Sequence, residues 1–457
     1  MTRVLPALGY SANYSRLWWG ITGLLAASRN RRARRAALRG MIAVGAASFG
    51  ANVLSKQVVR RQRPPAELMP IIPRLHRIPV TSSFPSGHAA SAAAFATGVA
   101  LEWPVLAAPI GLLAAGVAAS RVATGVHYPS DVLAGTALGL GAGVLTLWWW
   151  PQVSPAPATS GRAVAVASPA GRGVVIVVNS AAGSAGEKLL ATLSERLPDA
   201  EIVRPSADTD LAELVAEAAR RGEVLGVAGG DGTINVAART AFEHGVPLLV
   251  IPAGTLNHFA RDLGVETADE AIDALRAGTA VGVDLGRVGN EVFVNTCSTG
   301  LYTELVRYRE KWERRVGKWP AMIVGFVHVL RRTQPQELKI GERDRRVWMV
   351  FAGNGRYLPT GFAPARRPRL DDGELDVRIV SAERPFSRTR VVAAMLTGTL
   401  RWCAPYESAF VSEVDISAAG GELQLTVDGE PARVTPAVTV RKLPRALTVY
   451  RPERSAG

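Results

Sequence analysis

Two histidines and a set of basic side chains stand at defined spacings in the first third of the 457-residue sequence. A neutral imidazole is a competent nucleophile when a carboxylate fixes its tautomer, and Asp131 follows His127 by four residues. Fixed cations and amide N–H groups stabilise the charge that spreads over the oxygens of a transferring phosphoryl group. The residues that could act together are Lys56, Arg63, Ser86, Gly87, His88, Arg121, His127 and Asp131.

These residues resemble, in order, the three motifs of the type 2 phosphatidic acid phosphatase superfamily, which also contains bacterial acid phosphatases and vanadium haloperoxidases. The first motif is Lys56 with Arg63 and Pro64, the second is Pro-Ser-Gly-His at 85–88, and the third runs from Ser120 to Asp131. Each fragment alone also fits a basic loop, a helix cap or a structural histidine. Their joint occurrence favours the superfamily.

The resemblance implies a role for each matched residue. His127 would form a phosphohistidine, Asp131 would orient its imidazole and His88 would protonate the leaving oxygen. No cofactor is implied for this half. Vanadate chemistry would use the same pocket, but a membrane-embedded site favours lipid phosphates. The residues implied to bind phosphate are Lys56, Arg63, Ser86, Gly87 and Arg121.

Two glycine-rich turns follow successive apolar strands in the second half of the sequence. Backbone amides in such turns can approach a nucleotide phosphate, and turns at the ends of neighbouring parallel strands converge on one crevice. Neither turn is a P-loop or a dinucleotide fingerprint, and a tight turn without a ligand is the alternative for each alone. The residues are Gly229, Gly230, Asp231, Gly232 and Thr233 in the first turn, and Gly254, Thr255 and Asn257 in the second.

The two turns resemble those of the diacylglycerol kinase catalytic domain, which sphingosine kinases and bacterial lipid kinases share. The first turn matches through Asn235, and the second matches the family's Gly-Thr-x-Asn. Val236 and His258 depart from the Glu and Asp that often stand at these positions. The resemblance implies that both turns bind ATP.

Two acidic motifs closer to the C-terminus extend this resemblance. Leu-Asp-Asp-Gly looks like the family's metal loop and implies Asp372 as a magnesium ligand, with backbone oxygens of Arg369 and Glu374. Asp-Gly-Glu-Pro matches the late motif and implies Glu430 as the proton acceptor. Transfer from ATP to a hydroxyl requires Mg²⁺ on hard oxygen ligands and a carboxylate near the acceptor. Either motif alone also fits a β-turn.

The histidine motifs lie between apolar stretches that predict helices. The last stretch is near the roughly 20 residues needed to cross a bilayer. The others are shorter and rich in Ala and Gly, so a soluble bundle is the alternative. We predict an all-α transmembrane helical bundle over residues 1–150. The stretches are 17–28, 40–55, 89–101, 103–120 and 132–150.

The hydrophobic pattern and the composition of the sequence change after residue 150. A Pro-, Ala-, Ser- and Gly-rich segment at 151–172 predicts a linker. Strand-like runs alternating with helical spacing predict an α/β ATP-binding lobe over 173–285. Short β-like runs then predict a β-rich, lipid-binding lobe over 286–451, followed by a tail at 452–457.

Composition excludes several classes of protein. Hydrophobic residues at 48% and charged residues at 20% exclude a disordered chain, and two cysteines exclude a disulfide scaffold. Residues 1–150 carry fifteen of the 53 basic side chains but three of the 39 acidic ones. Because the basic excess lies in the most apolar part, it favours a membrane segment with basic flanks, and we expect no nucleic-acid partner.

The sequence therefore predicts a bifunctional, multi-pass enzyme of the cell membrane. One half would hydrolyse a lipid phosphate, and the other would phosphorylate a lipid hydroxyl with ATP and Mg²⁺. The expected partners are lipid phosphates, lipid alcohols, the membrane and a second copy bound through the kinase domain. Because ATP and Mg²⁺ are cytosolic, we expect the kinase in the cytoplasm, and counting crossings then places the phosphatase site on the outer face. The alternative is that one half is catalytic and the other is an anchor or lipid sensor.

Overall fold

The computed structural model divides the chain into two compact units, Met1–Gln152 and Val153–Gly457. The structure describes all residues except 1–10, 13–14, 29, 56–58, 60, 66–81, 151, 153–156, 180–183, 207–208, 255–256, 306–307, 309–311, 313–323, 326–327, 330–331, 359–365, 398, 433 and 454–457.

The first unit is helical, and each predicted apolar stretch forms a helix. One turn of π-helix, Gly50–Ser55, extends the second helix, and a 3₁₀ turn, Pro104–Leu106, precedes the fourth. The two histidine motifs lie where helices begin and end, at 86–88 and 121–131. The helices are α1 Arg16–Ala27, α2 Arg31–Phe49, α3 Gly87–Glu102, α4 Ala107–Ala123 and α5 Pro129–Trp149.

Small residues let α5 pack closely against α3. A Cβ atom on Gly135 would clash with the Ser86 carbonyl oxygen, and one on Gly139 would clash with the Ala90 carbonyl oxygen. On α3, residues 89–95 are all buried. The abundance of Ala and Gly therefore serves close helix packing, and it brings the start of α3 against the start of α5.

Among the residues that the structure describes, three helical segments are long and apolar enough to cross a membrane. They cover residues 32–53, 104–123 and 129–148. Leucines on two of them point outward, with Leu112 75% exposed and Leu133 71% exposed. An outward face of this kind is typical of a helix that lies against lipid.

The second unit contains a large mixed sheet and α-helices, six of which have both bounds within the described residues. The helices are α6 Ser184–Arg196, α7 Leu211–Arg221, α8 Asp231–His244, α9 His258–Leu263, α10 Ala268–Ala277 and α11 Ser387–Thr397. The strands are β1 Arg162–Val164, β2 Val174–Val178, β3 Glu201–Val203, β4 Val224–Gly229, β5 Leu248–Pro252, β6 Thr279–Val288, β7 Glu291–Phe293, β8 Thr296–Gly300, β9 Gln336–Ile340, β10 Arg343–Asn354, β11 Leu375–Ser381, β12 Tyr406–Val411, β13 Glu413–Ala418, β14 Leu425–Val427, β15 Glu430–Pro431 and β16 Ala437–Tyr450.

The first lobe of this unit is built around parallel strands. Strands β2, β3, β4 and β5 pair in parallel, with β2 and β4 fully buried, as their continuous apolar sequences predict. Helices α6, α7 and α8 connect these strands. The carboxyl ends of β4 and β5 are therefore neighbours, which brings the two glycine turns together.

Strand β16 joins the parallel strands to the β-rich lobe. It pairs in parallel with β5 and antiparallel with β6 and β13. The main path of the sheet is β15-β14-β8-β10-β9-β13-β16-β5-β4-β2-β3. The predicted lobe boundary at 285/286 falls inside β6, because this strand continues to Val288.

The predicted linker differs most from the structure. Within 151–172, β1 pairs antiparallel with β6, and Thr159 bridges to Arg369. Ala158 is buried, and its N–H donates to the Asp262 carbonyl oxygen. The alternating sequence Arg-Ala-Val-Ala-Val allows an edge strand, so the Pro- and Ala-rich composition misled the prediction over this part of the segment.

Candidate active sites

In the first unit, the imidazole of His127 is held by a backbone carbonyl. His127 lies between α4 and α5, is buried, and its Nδ1 lies 2.7 Å from the Ser83 oxygen. Because a carbonyl oxygen can only accept, Nδ1 carries the proton. The lone pair of the neutral ring is therefore on Nε2, the atom that a nucleophilic role requires.

Asp131 was predicted to orient this imidazole, and the structure gives it other partners. Its Oδ2 is 3.8 Å from His127 Nδ1, too far for a hydrogen bond. Oδ2 instead accepts from the Tyr128 N–H at 3.0 Å, and Oδ1 accepts from Arg61 Nη1 at 2.9 Å. The physical reason is position, since Asp131 lies in the first turn of α5, where free N–H groups attract a carboxylate.

Positive charge surrounds the imidazole. Burial, and after it the charges of Arg63 and Arg121, lower the pKa of His127 to about 4. Arg63 is fixed by donating from Nη1 to the Val126 carbonyl oxygen at 2.9 Å. Arg121 is buried in the last turn of α4. At neutral pH the ring is uncharged, as a nucleophile must be.

Two buried polar atoms at this site have no hydrogen-bond partner among the described residues. They are Ser86 Oγ and Arg121 Nε. Burying such groups unpaired is costly, so their presence fits a site that receives an oxyanion. The Ser86 N–H donates to the Asp131 carbonyl oxygen at 2.9 Å, which ties the start of α3 to the start of α5.

Hydrogen bonds and electrostatic interactions thus bring together five of the predicted residues of this half: Arg63, Ser86, Arg121, His127 and Asp131. Gly87 is the first residue of α3 and His88 the second, both half-buried. Lys56 lies outside the described residues.

Arg61 was not among the residues predicted for this site. Its Nη1 donates to Ser130 Oγ at 2.8 Å as well as to Asp131, and its guanidinium lies 4.3 Å from the centre of the Tyr128 ring. Arg61 lies two residues before Arg63, within the first motif region. Its position in the sequence did not distinguish it from other surface arginines. It neutralises the Asp131 carboxylate, which was expected to orient the imidazole of His127.

In the second unit, the two glycine turns lie against each other. A Cβ atom on Gly254 would come within 2.5 Å of the Gly230 Cα atom, so a side chain there would force the turns apart. The Ala253 N–H donates to the Gly229 carbonyl oxygen at 3.2 Å. Around Gly232 a Cβ atom would meet nothing within 4 Å, which leaves open space at the start of α8.

Side chains lock the turns in place. Asp231 Oδ1 accepts from the His258 N–H at 2.6 Å, linking the first turn to the start of α9. Asn257, in the left-handed conformation with φ 49°, accepts from the Gly254 N–H at 3.0 Å and donates to the Gly254 carbonyl oxygen at 2.8 Å. Thr233 is buried and accepts from Asn179 at 2.9 Å. Thr255 lies outside the described residues.

A chain of hydrogen bonds connects the first turn to the late acidic motif. Asn235 on α8 accepts from Asn295 Nδ2 at 3.1 Å. The Asp428 carboxylate accepts from the backbone N–H groups of residues 294, 295 and 296, at 2.8, 2.7 and 2.9 Å. Glu430 follows two residues later, with its side chain exposed. Asp428 is thus a structural anchor for the turn that precedes Glu430.

Asp372 was predicted to bind magnesium, and its surroundings do not fit that ion. Lys442 Nζ lies 3.2 Å from Asp372 Oδ1, so an ammonium group already neutralises the carboxylate. Oδ2 accepts from the Arg356 N–H at 2.8 Å. Within the described part of the chain, no group of three or more His, Cys, Asp or Glu side chains could hold a metal ion.

Three family models match successive parts of the chain. The PAP2 superfamily model matches residues 36–155, and the diacylglycerol kinase catalytic domain matches 173–288. The YegS C-terminal NAD kinase beta sandwich-like domain matches 306–451.

Individual relatives are similar to one half each. A protein of Pseudomonas aeruginosa named "Probable lipid kinase YegS-like" is 31% identical over 235 residues, which are 49% of this chain and 76% of the relative. The "Diacylglycerol kinase" of Bacillus subtilis is 30% identical over 260 residues, 54% of this chain and 84% of the relative. The crystal structure of a transmembrane PAP2 type phosphatidylglycerolphosphate phosphatase from Bacillus subtilis has 27% identity and a TM-score of 0.25, covering 32% of this chain and 73% of the other.

Proposed function

Because the chain belongs to the bacterial lipid kinase family and carries a PAP2 superfamily domain ahead of the kinase, we propose that it is a bifunctional membrane enzyme. The first unit would hydrolyse a lipid phosphate, and the second would phosphorylate a lipid hydroxyl. The observation that carries the proposal is that each compact unit holds its own polar site. One is the buried set around His127, and the other is the interlocked pair of glycine turns.

In the first unit, Nε2 of His127 attacks the phosphorus of the lipid phosphate. Arg63, Arg121, the Ser86 hydroxyl and the amide of Gly87 stabilise the charge on the phosphoryl oxygens. As the P–O bond to the lipid breaks, His88 gives its proton to the leaving alkoxide. Water then attacks the phosphohistidine, His88 takes back a proton, and inorganic phosphate leaves. The lowered pKa of His127 keeps the attacking ring neutral.

In the second unit, the substrate is MgATP. The glycine turns and the start of α8 supply backbone N–H groups for its phosphates. Glu430 accepts the proton of the lipid hydroxyl as that oxygen attacks the γ-phosphorus, and ADP leaves with the magnesium it arrived with. Asp428 fixes the turn that carries this base, through its three bonds to backbone N–H groups.

The two sites belong on opposite faces of the membrane. ATP is cytosolic, which requires the kinase to be inside, and an odd number of crossings between the histidines and residue 152 then puts the phosphatase outside. The candidate spanning segment at 129–148 is the crossing that this topology requires between His127 and residue 152. This arrangement suits lipid salvage, in which a lipid loses its phosphate on the outer face and the resulting alcohol is phosphorylated again on the inner face.

Sidedness can be tested with introduced cysteines. Arg77→Cys and Arg172→Cys, each in a background lacking Cys297 and Cys403, would be labelled in intact cells with an impermeant maleimide. We expect labelling at position 77 and none at 172 until the cells are opened. Equal labelling in intact cells would disprove opposite faces.

The activities themselves require a lipid panel. Purified full-length protein would be incubated with phosphatidic acid, phosphatidylglycerophosphate and polyprenyl pyrophosphate, and separately with diacylglycerol, a sphingoid base and a polyprenol plus ATP. Products would be identified by mass. We expect at least one dephosphorylated lipid without ATP and at least one phosphorylated lipid with ATP. A panel without turnover in one arm would remove that half of the proposal.

A further inference from the structure

The turn at 371–374 holds a buried cation that belongs to the protein itself. Lys442 on β16 has a side chain that is 1% exposed. Its Nζ lies 2.8 Å from the Glu374 carbonyl oxygen, 3.2 Å from Asp372 Oδ1 and 3.4 Å from Asp284 Oδ2. One carboxylate from β6, and a carboxylate and a backbone oxygen from the turn, therefore surround one ammonium group.

These oxygens are of the kind that a hard divalent ion would take. Carboxylates and backbone carbonyls are the usual ligands of Mg²⁺ and Ca²⁺. Asp372 and the Glu374 oxygen are also two of the ligands that the sequence resemblance assigned to a metal. The ammonium group thus occupies the position at which their oxygens converge, and a metal ion could enter only by displacing it.

Backbone N–H groups complete the arrangement. Asp284 accepts from the Gly373 N–H at 2.8 Å and from the Arg445 N–H at 2.7 Å. Asp372 accepts from the Glu374 N–H at 3.1 Å, besides that of Arg356. Both carboxylates have several donors, so the turn is held in shape without any bound ion.

We propose that Lys442 replaces a resident metal ion in this chain. The ammonium group joins the 371–374 turn to β6 and β16, and the second unit keeps its structure without a bound divalent cation. Magnesium is then needed only as part of the nucleotide substrate. The proposal concerns stability and metal content, so it stands or falls independently of the kinase reaction.

The arrangement also connects to the proposed base. The Asp284 carbonyl oxygen accepts from Asn354 Nδ2, which also donates to the Val294 carbonyl oxygen, both at 2.8 Å. Residues 294–296 in turn hold Asp428, two positions before Glu430. The backbone of Asp284, whose carboxylate faces Lys442, is therefore linked to the segment that holds Asp428.

The test uses the detergent-solubilised full chain, nucleotide-free and dialysed against a chelator. Metal content would be measured by mass spectrometry, and Tm would be measured with and without added MgCl₂ or CaCl₂. We expect the wild type to carry no stoichiometric metal and its Tm to be unchanged by chelation. One tightly bound equivalent, with a fall in Tm on chelation, would overturn the proposal.

Without the ammonium group, the 371–374 turn should require a bound divalent cation for stability. In Lys442→Ala, two buried carboxylates lose their counter-ion, and we expect Tm in chelator to fall by about 5–10 °C and to recover on addition of MgCl₂ or CaCl₂. Arg441→Ala, an exposed neighbour on β16, is the matched control and should show neither effect. A Lys442→Ala protein with wild-type Tm would contradict the proposal. If that variant does not fold, the metal content of the wild type decides alone.

Discussion

The protonation state of His127 gives the sharpest quantitative test of the first site. Burial and two neighbouring guanidinium groups lower its pKa to about 4. In the proposed mechanism the neutral ring is the nucleophile, so activity should fall as the pH drops through the folded-state pKa of His127. At pH 5 a group of pKa about 4 is about 90% neutral, whereas a histidine at its ordinary pKa of about 6.5 is about 3% neutral. The structure therefore predicts about thirty-fold more of the active form at pH 5 than an unperturbed histidine would provide.

The assay is a titration of labelled histidine by NMR in the full-length protein, with His127 assigned from the spectrum of His127→Asn. A parallel profile of kcat/KM for phosphate release reports the same free-enzyme pKa. The substrate's second ionisation, near pH 6, must be titrated separately and removed from the profile. We expect an inflection near pH 4 in both measurements. A His127 titration near pH 6.5 would refute the account of the site.

The same shift makes stability depend on pH. Because the folded-state pKa is lowered, the unfolded chain binds the proton more tightly between about pH 6.5 and pH 4. His127 then costs no stability above pH 6.5 and up to about 3 kcal/mol as the pH falls to 4. In Arg121→Gln one of the two cations is lost, and the pKa of His127 should rise.

Three further variants test other contacts. Arg61→Gln frees the Asp131 carboxylate from its ion pair, and we expect kcat for phosphate release to fall about ten-fold. His127→Ala should abolish phosphate release. An unchanged kcat in Arg61→Gln would show that Arg61 has no positioning role. Gly254→Ala pushes the two glycine turns apart and should raise the KM for ATP by about ten-fold or more. Phosphate release by the first unit should stay intact. The control Gly420→Ala, at an open surface position, should change neither the KM for ATP nor phosphate release. Asp428→Asn removes a carboxylate from three backbone N–H groups, and we expect a loss of about 1–3 kcal/mol in stability together with reduced kinase activity, which urea unfolding and product assays would detect.

The sequence predicted elements well where local pattern and burial agree. The runs at 174–179 and 224–230 became β2 and β4 because fully buried parallel strands are apolar throughout. The five apolar stretches became helices for a similar reason. At 151–172 composition misled the prediction, because pairing of β1 with β6 depends on a strand more than a hundred residues away.

Site residues were predicted from motifs, but their partners were not. The bond from His127 to the Ser83 carbonyl oxygen depends on the path of a loop, and a backbone acceptor leaves no signature in side-chain sequence. Lys442 lies seventy residues after Asp372, and only the pairing of β16 with β6 brings its ammonium group to the turn. Motifs therefore located the chemistry, whereas tertiary structure decided which groups orient and neutralise it.

The central claim is that one chain contains two independent centres for phosphoryl chemistry, His127 in the first unit and Glu430 in the second. The most direct measurement is both activities on the same preparations of wild type, His127→Ala and Glu430→Gln. We predict that His127→Ala loses phosphate release and keeps ATP-dependent lipid phosphorylation, while Glu430→Gln shows the reverse. If either substitution abolished both activities in a folded protein, or left its own activity intact, the account would be contradicted.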